Sequence, residues 1–237
     1  MISAGHHSMM DVDGAPTPPA PAYDSLVEYI QGDGNAFIQF PDVLGLVGKL
    51  CQLNTLPEFA VTIGIYGFQR ESTGSSNGTG FAMSSSRARF IISRSPTASQ
   101  HGVIVWAGNT VLSKSTYPNP LSVGFSVVGS GRDAVAYNIV DGNVTATTAT
   151  LSYAQYLAEP RLFSSGNTNE NGWTSSSLVG KELQVSYLKI ENAIGLVLDA
   201  VPCRIGTVGY MYDKISKKRF GNAANSGALL FGNDIIG

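Results

Sequence analysis

The chemistry-bearing side chains of this 237-residue chain are few and scattered. Glycan hydrolysis on a β-framework needs two carboxylates on one strand face, close enough to flank a glycosidic bond. No Glu-x-Asp occurs anywhere: Glu28, Glu58, Glu71, Glu159, Glu170, Glu182 and Glu191 stand singly. His101 is the one histidine beyond the N-terminal stretch, so a Ser–His–Asp arrangement would depend on it. It sits beside Gly102 with no nucleophile elbow near, and reads as a loop histidine. His6-His7 lack further ligands, and Asp11-Val-Asp-Gly14 lacks the third acid and distal Glu of a calcium loop. Gly45-Leu-Val-Gly48-Lys49 is too short for a phosphate loop, and Leu50 stands where a hydroxyl is needed. The expectation is a protein that is not an enzyme and uses no cofactor and no metal.

Binding chemistry is easier to place. Asn167, Asn169, Asn171 and Trp173 fall in one long polar loop. Amide side chains pair with sugar hydroxyls and an aromatic ring stacks on a sugar face, so these four residues are the candidate glycan contacts. The plainer alternative is that Trp173 packs its own loop onto the domain. Arg87, Arg89 and Arg94 could form an anion or partner patch; a solvated strand face is again the plainer reading.

The elements that must position these residues are strands. Gly is abundant at 27, charged residues are only 14%, and hydrophobic ones reach 43%. Such a mixture suits short strands, tight turns and one substantial core. Pro57–Phe68 alternates as a strand. Phe81–Met83 pairs with Arg87–Ser93, and Val103–Trp106 turns through Ala107-Gly-Asn109 into Thr110–Ser113. Leu121–Val128, Ala134–Val140 and Asn143–Ala149 follow, the last two joined at Asp141-Gly142. Leu151–Leu157 reads as a short helix. Tyr23–Phe40 reads as a strand and hairpin turning at Asp33-Gly34. Near the C-terminus, Leu183, Val185 and Tyr187 share one face, a turn at Asn192-Ala193 leads to Ile194–Val201, and a hairpin closes through Asp213–Lys217. Tyr212 and Phe220 of that hairpin are expected to be largely buried.

The C-terminal stretch carries a specific pattern: Val201, Pro202, Cys203, Gly206, Gly209, Tyr212, Asp213, Phe220, Asn222, Ala223 and Gly227. Near the start, Tyr29-Ile-Gln-Gly-Asp-Gly-Asn-Ala-Phe-Ile38 carries a second. Together they resemble the closing and opening signatures of a module found in fibre, tail and head-decoration proteins of phages infecting gut Bacteroidetes. The usual ending is stretched here to Ala223-Ala-Asn-Ser-Gly227, and the middle of the chain is generic. The resemblance implies an all-β fold, a two-sheet antiparallel concanavalin-A-like (laminin-G-like) β-sandwich or jelly roll over residues 23–237. It implies a virion structural protein assembled in the host cytoplasm: a head-fibre or capsid-decoration protein, or alternatively a tail fibre. A bacterial surface carbohydrate-binding adhesin is the reading from another class.

Residues 1–22 form no core of their own. Pro16, Pro18, Pro19 and Pro21 favour an extended polyproline arm, and Ile2, Met9, Met10 and Val12 supply apolar contacts that a solvated linker does not need. The arm is expected to attach the protein to capsid or fibre-base subunits. The partner expected besides these is the chain itself, as a homo-oligomer and preferentially a trimer, with host polysaccharide as a ligand. A net charge of −2 gives no basic field for nucleic acid, and no segment reaches transmembrane length. No cationic region followed by an apolar run marks a signal peptide. Cys51 and Cys203 are therefore expected to be reduced, buried thiols.

Overall fold

A computed structural model describes residues 23–43, 58–68, 79–83, 90–94, 102–107, 110–116, 121–128, 133–140, 143–150, 159–164 and 183–236. Among them lie two antiparallel sheets, so the chain is an all-β, two-sheet sandwich. The strands are β1 (Ser25–Leu26), β2 (Ile30–Gly32), β3 (Ile38–Gln39), β4 (Phe59–Phe68), β5 (Thr79–Ala82), β6 (Phe90–Arg94), β7 (Gly102–Ala107) and β8 (Thr110–Thr116). There follow β9 (Leu121–Val128), β10 (Asp133–Val140), β11 (Asn143–Thr150), β12 (Arg161–Leu162), β13 (Leu183–Asn192), β14 (Gly195–Ile205), β15 (Val208–Asp213), β16 (Arg219–Phe220) and β17 (Leu229–Phe231). The larger sheet runs β11-β10-β9-β4-β13-β14-β15-β16, with β1 beside β14 and the β2–β17 pair beside β13. The smaller runs β3-β12-β5-β6-β7-β8.

The core follows from strand alternation. Phe59, Val61, Ile63 and Ile65 of β4 point inward and are buried, while Thr62 and Tyr66 face out. They meet Phe81 and Leu162 of the smaller sheet, and Met83 and Phe163 just beyond those strands, in one apolar cluster to which Val185, Leu188, Ile190, Leu198 and Met211 also belong. Burying several large side chains of this kind at ~1.5–3 kcal/mol each is what offsets the ordering entropy of the chain.

Turn chemistry sets the C-terminal order. The Asn192 carboxamide oxygen accepts the amides of Ile194 (2.8 Å) and Gly195 (3.0 Å), closing the β13–β14 hairpin. Gly206, at φ +56°, serves the β14–β15 turn. The expected hairpins β7–β8, β10–β11 and β15–β16 form, as does the β5–β6 pair.

Three expectations need correction. Asp33-Gly34 does not close a hairpin. Both edges of β2 are occupied, by β13 (Val185 opposite Ile30) and by β17 (Leu229 opposite Gly32), so the chain crosses at this turn and β3 joins β12 in the smaller sheet. Tyr187 does not share the face of Leu183 and Val185. The ladder to β4 shifts between Val185 and Tyr187, and the inward set resumes at Leu188 and Ile190. Tyr212 and Phe220 are half-buried rather than largely buried. Gly209, Met211 and Asp213 take the inner face of β15, which leaves Tyr212 outside against Tyr23, with ring centroids 5.0 Å apart. Phe220 pairs with Met211 at the rim and lies against Phe40, 4.9 Å between centroids.

Candidate functional site

The two sequence patterns that bracket the domain meet in space. Asp33 follows β2, and its Oδ1 accepts the amides of Asn35 (2.8 Å) and Ala36 (3.0 Å) in an Asx-type turn. Its Oδ2 reaches across to the amide of Ala228 at 2.7 Å, and the Asp33 amide donates to the Ala228 carbonyl at 3.2 Å. Asn222 answers from the other side. Its Oδ1 accepts the amides of Phe37 (3.3 Å) and Ala224 (2.9 Å), and its Nδ2 donates to the carbonyls of Ser226 and Gly227, both at 3.1 Å. The Ala223 amide donates to the Phe37 carbonyl at 2.8 Å. Gly227 sits at φ +83°, and a Cβ there would lie 2.7 Å from Ala36 N, Asn35 C and Asp33 Oδ1. Glycine is therefore required. The chemistry of this clasp is backbone holding: a carboxylate and a carboxamide bind the main chain of two distant segments.

Asp213 does the same for the β15–β16 turn. Buried at 2% exposure, its carboxylate accepts the amides of Asp199 (3.0 Å), Ile215 (3.1 Å) and Ser216 (2.9 Å). Burial pushes its pKa up, but the bonds from the Ser216 side chain and from the Asp199, Ser216 and Ile215 amides outweigh it and hold the carboxyl below its usual range.

At one end of the sandwich, the chain emerging from residue 22 is pinned. The Asp24 amide donates to the Arg204 carbonyl at 2.9 Å, and Asp24 Oδ2 accepts the Gly206 amide at 2.7 Å. Val27 bridges Asp234, and the Ile235 amide donates to the Leu26 carbonyl at 2.9 Å. Arg204 grips Asp234 with two parallel bonds, Nε to Oδ1 at 2.6 Å and Nη2 to Oδ2 at 2.5 Å. The Arg204 hydrogen bond is the main cause that holds the Asp234 carboxyl below the usual range.

A third cluster lies on the outer face where β2, β4 and β13 meet. Tyr29 and Tyr66 stack obliquely, 5.1 Å between centroids at 34°. The Tyr66 hydroxyl bonds Glu28, which raises its pKa above the ordinary phenol value. Glu28 Oε2 also accepts from Asn233, backbone amide at 3.3 Å and Nδ2 at 3.2 Å. One strand over, Gln184 Nε2 donates to Gln31 Oε1 at 3.3 Å. This cluster went unrecognised in the sequence because its members come from four separated segments and no spacing joins them. The one local signal was Tyr66, an aromatic on the outward phase of an otherwise clean strand.

Of the residues proposed from sequence, Asn167, Asn169, Asn171 and Trp173 lie outside the described residues, as do all of residues 1–22, Arg87, Arg89, His101, Cys51 and the expected helix Leu151–Leu157. Arg94 ends β6. Cys203 is a buried free thiol, and burial pushes its pKa up to about 11. Among the described residues no group of three His, Cys, Asp or Glu side chains could hold a metal ion, and no helix is long and apolar enough to cross a membrane.

No protein-family model matches the chain, and no curated protein matches it. Among solved structures it is similar to full-length tailspike protein 2 of Escherichia coli O157:H7 bacteriophage CAB120, at TM-score 0.39 and 10% identity over 77% of this chain. The match spans only 31% of that tailspike's length. It is similar at the same TM-score and identity to SCP-B, a peptidase of the eqolisin family solved with the tripeptide Ala-Ile-His, over 86% of this chain and 97% of that one.

Proposed function

We propose that the chain is a non-enzymatic structural protein of a phage virion, a head-fibre or capsid-decoration protein that presents its β-sandwich outward and is held by residues 1–22. The observation that carries this reading is the clasp. The opening and closing patterns on which the resemblance rests are the two halves of one device, with Asp33 and Asn222 each bonding the other's segment. That both patterns serve one contact supports reading them as signatures of a single module closed from both ends.

The pinned arm root supports attachment through the N-terminal segment. Asp24 and Val27 fix where that segment leaves the sandwich, beside Arg204 and Asp234. The same end exposes Val208 (50%) and Ile235 (52%), apolar side chains suited to contact with a capsid or fibre-base subunit. A Pro-rich segment has little conformational entropy left to lose on docking, and Met9 and Met10 adapt to irregular pockets. The assembled state is a homo-oligomer, preferentially a trimer, and its role is structural rather than catalytic.

Deletion of residues 1–20 tests this. The truncated protein should stay folded and soluble yet fail to join particles. Co-purification of the truncated chain with virions at full occupancy would move attachment to the sandwich.

A further inference from the structure

We infer that the outer face where β2, β4 and β13 meet is a saccharide-binding platform, with Tyr66 as the stacking ring and Glu28, Gln184 and Asn233 as the hydroxyl-binding groups. The site is built in layers. A Cβ at Gly232 would lie 2.7 Å from Tyr29 Cδ1 and Cε1, so the Tyr29 ring rests directly on the backbone there. Tyr66 packs obliquely against Tyr29 and is 38% exposed, which makes it the more accessible of the two rings. Its hydroxyl is turned toward Glu28, which is itself held by Asn233.

The fold spends irregularity to create this face. The β4–β13 ladder shifts twice within four residues, between Gln184 and Val185 and again between Val185 and Tyr187, and Tyr66 is passed over in its register. Bulges of this kind re-aim side chains and concentrate at binding sites. Two residues along from Tyr29, Gln31 is only 2% exposed and accepts from Gln184, so the Gln184 carboxamide is supported by a buried one.

The residue types select the ligand class. A sugar offers an apolar C–H face to an aromatic ring, and its hydroxyls both donate and accept, which matches carboxamides and a carboxylate around a ring. An anion is disfavoured because Glu28 is the cluster's one charged residue. A cation is a poorer match because a single carboxylate is the cluster's one anionic group, and two aromatic rings and carboxamides make up the rest. A preorganised ring costs little entropy on binding, so even a shallow surface gains affinity from it.

Saturation-transfer NMR on the full-length chain, with gluco-, manno-, galacto-, xylo- and N-acetylglucosamine tetrasaccharides as probes, tests the site. At least one should bind in the millimolar range, with Tyr66→Ala weakening it by about tenfold or more. Tyr66→Phe, which keeps the ring, should retain most of the binding, and both variants should melt cooperatively like the parent. The inference is overturned if no tetrasaccharide receives saturation, if Tyr66→Ala binds like the parent, or if only Trp173→Ala abolishes binding. It is also overturned if Tyr66→Ala changes the mass seen by light scattering without touching saccharide binding, because the face is then a contact between copies. The assay uses the isolated chain, so it stands or falls separately from particle attachment.

Discussion

The Asp33 carboxylate accepts the amide of Ala228 at 2.7 Å, joining positions 195 residues apart. Asp33→Ala would strip acceptors from the amides of Asn35, Ala36 and Ala228 together. Because the site is half-buried, water replaces part of the loss, and a destabilisation of about 1–3 kcal/mol is expected in urea unfolding. Gly227→Ala should match or exceed it, since the left-handed backbone and a 2.7 Å clash act together. A Gly227→Ala variant as stable as the parent would show that the clasp does not close the domain.

Phe40 and Phe220 are in contact but differ in burial: Phe40 is fully buried at 0% exposure, Phe220 half-buried at the rim. Phe40→Ala should cost about 3–5 kcal/mol, the range for a large core deletion. Phe220→Ala should cost roughly half of that, because water already reaches part of the ring and can fill the space left. Chemical denaturation of both variants checks the ratio, and equal losses would place Phe220 in the core.

The strands were legible because alternation is local: Phe59 to Ile65 announces its inward face without any knowledge of partners. The turns were legible where one side chain makes them, as Asn192 does. What escaped was everything set by a neighbour. Asp33-Gly34 has the chemistry of a hairpin, yet the two occupied edges of β2 turn it into a crossing between sheets. The phase of β13 changes through a shift in its pairing with β4, so Tyr187 lands on the face opposite to the one its spacing implies. The tyrosine platform needed Glu28, Tyr66, Gln184 and Asn233 to converge, and no sequence window contains them. The candidate loop Asn167–Trp173 and the arm had clear composition and lie outside the described residues.

The Cys203 thiol, with its pKa raised to about 11 by burial, should be almost wholly protonated at pH 8, and the residue is fully buried. Folded protein should therefore leave Cys203 unlabelled by a disulfide-exchange reagent at that pH, while denatured protein labels it fully. Peptide mapping separates Cys203 from Cys51. Rapid labelling of Cys203 in the folded state would contradict its burial between β1 and β15.

Acid should loosen the C-terminal hairpin through Asp213. Its folded pKa is depressed, because the hydrogen bonds from Ser216, Asp199 and Ile215 overcome the opposing effect of burial. The unfolded chain, with an ordinary Asp pKa of about 3.9, then takes up the proton at a higher pH than the folded one. The unfolded state binds more protons between the two values, so stability must fall as pH drops through that interval and is fully present above it. Asp213→Asn removes the titration and keeps the shape, but its amide nitrogen cannot accept, so the turn loses part of its backbone holding. The variant should be less stable at pH 7 by about 1–3 kcal/mol and should lose less further stability between pH 5 and pH 2 than the parent. Asp234 also has a depressed pKa, chiefly through Arg204, but as an exposed pair it should leave the acid limb nearly unchanged when mutated to Asn. Denaturant midpoints measured across that pH range for the parent and both variants decide the matter. An acid limb that Asp213→Asn leaves untouched, or that Asp234→Asn abolishes, would place the titrating group elsewhere.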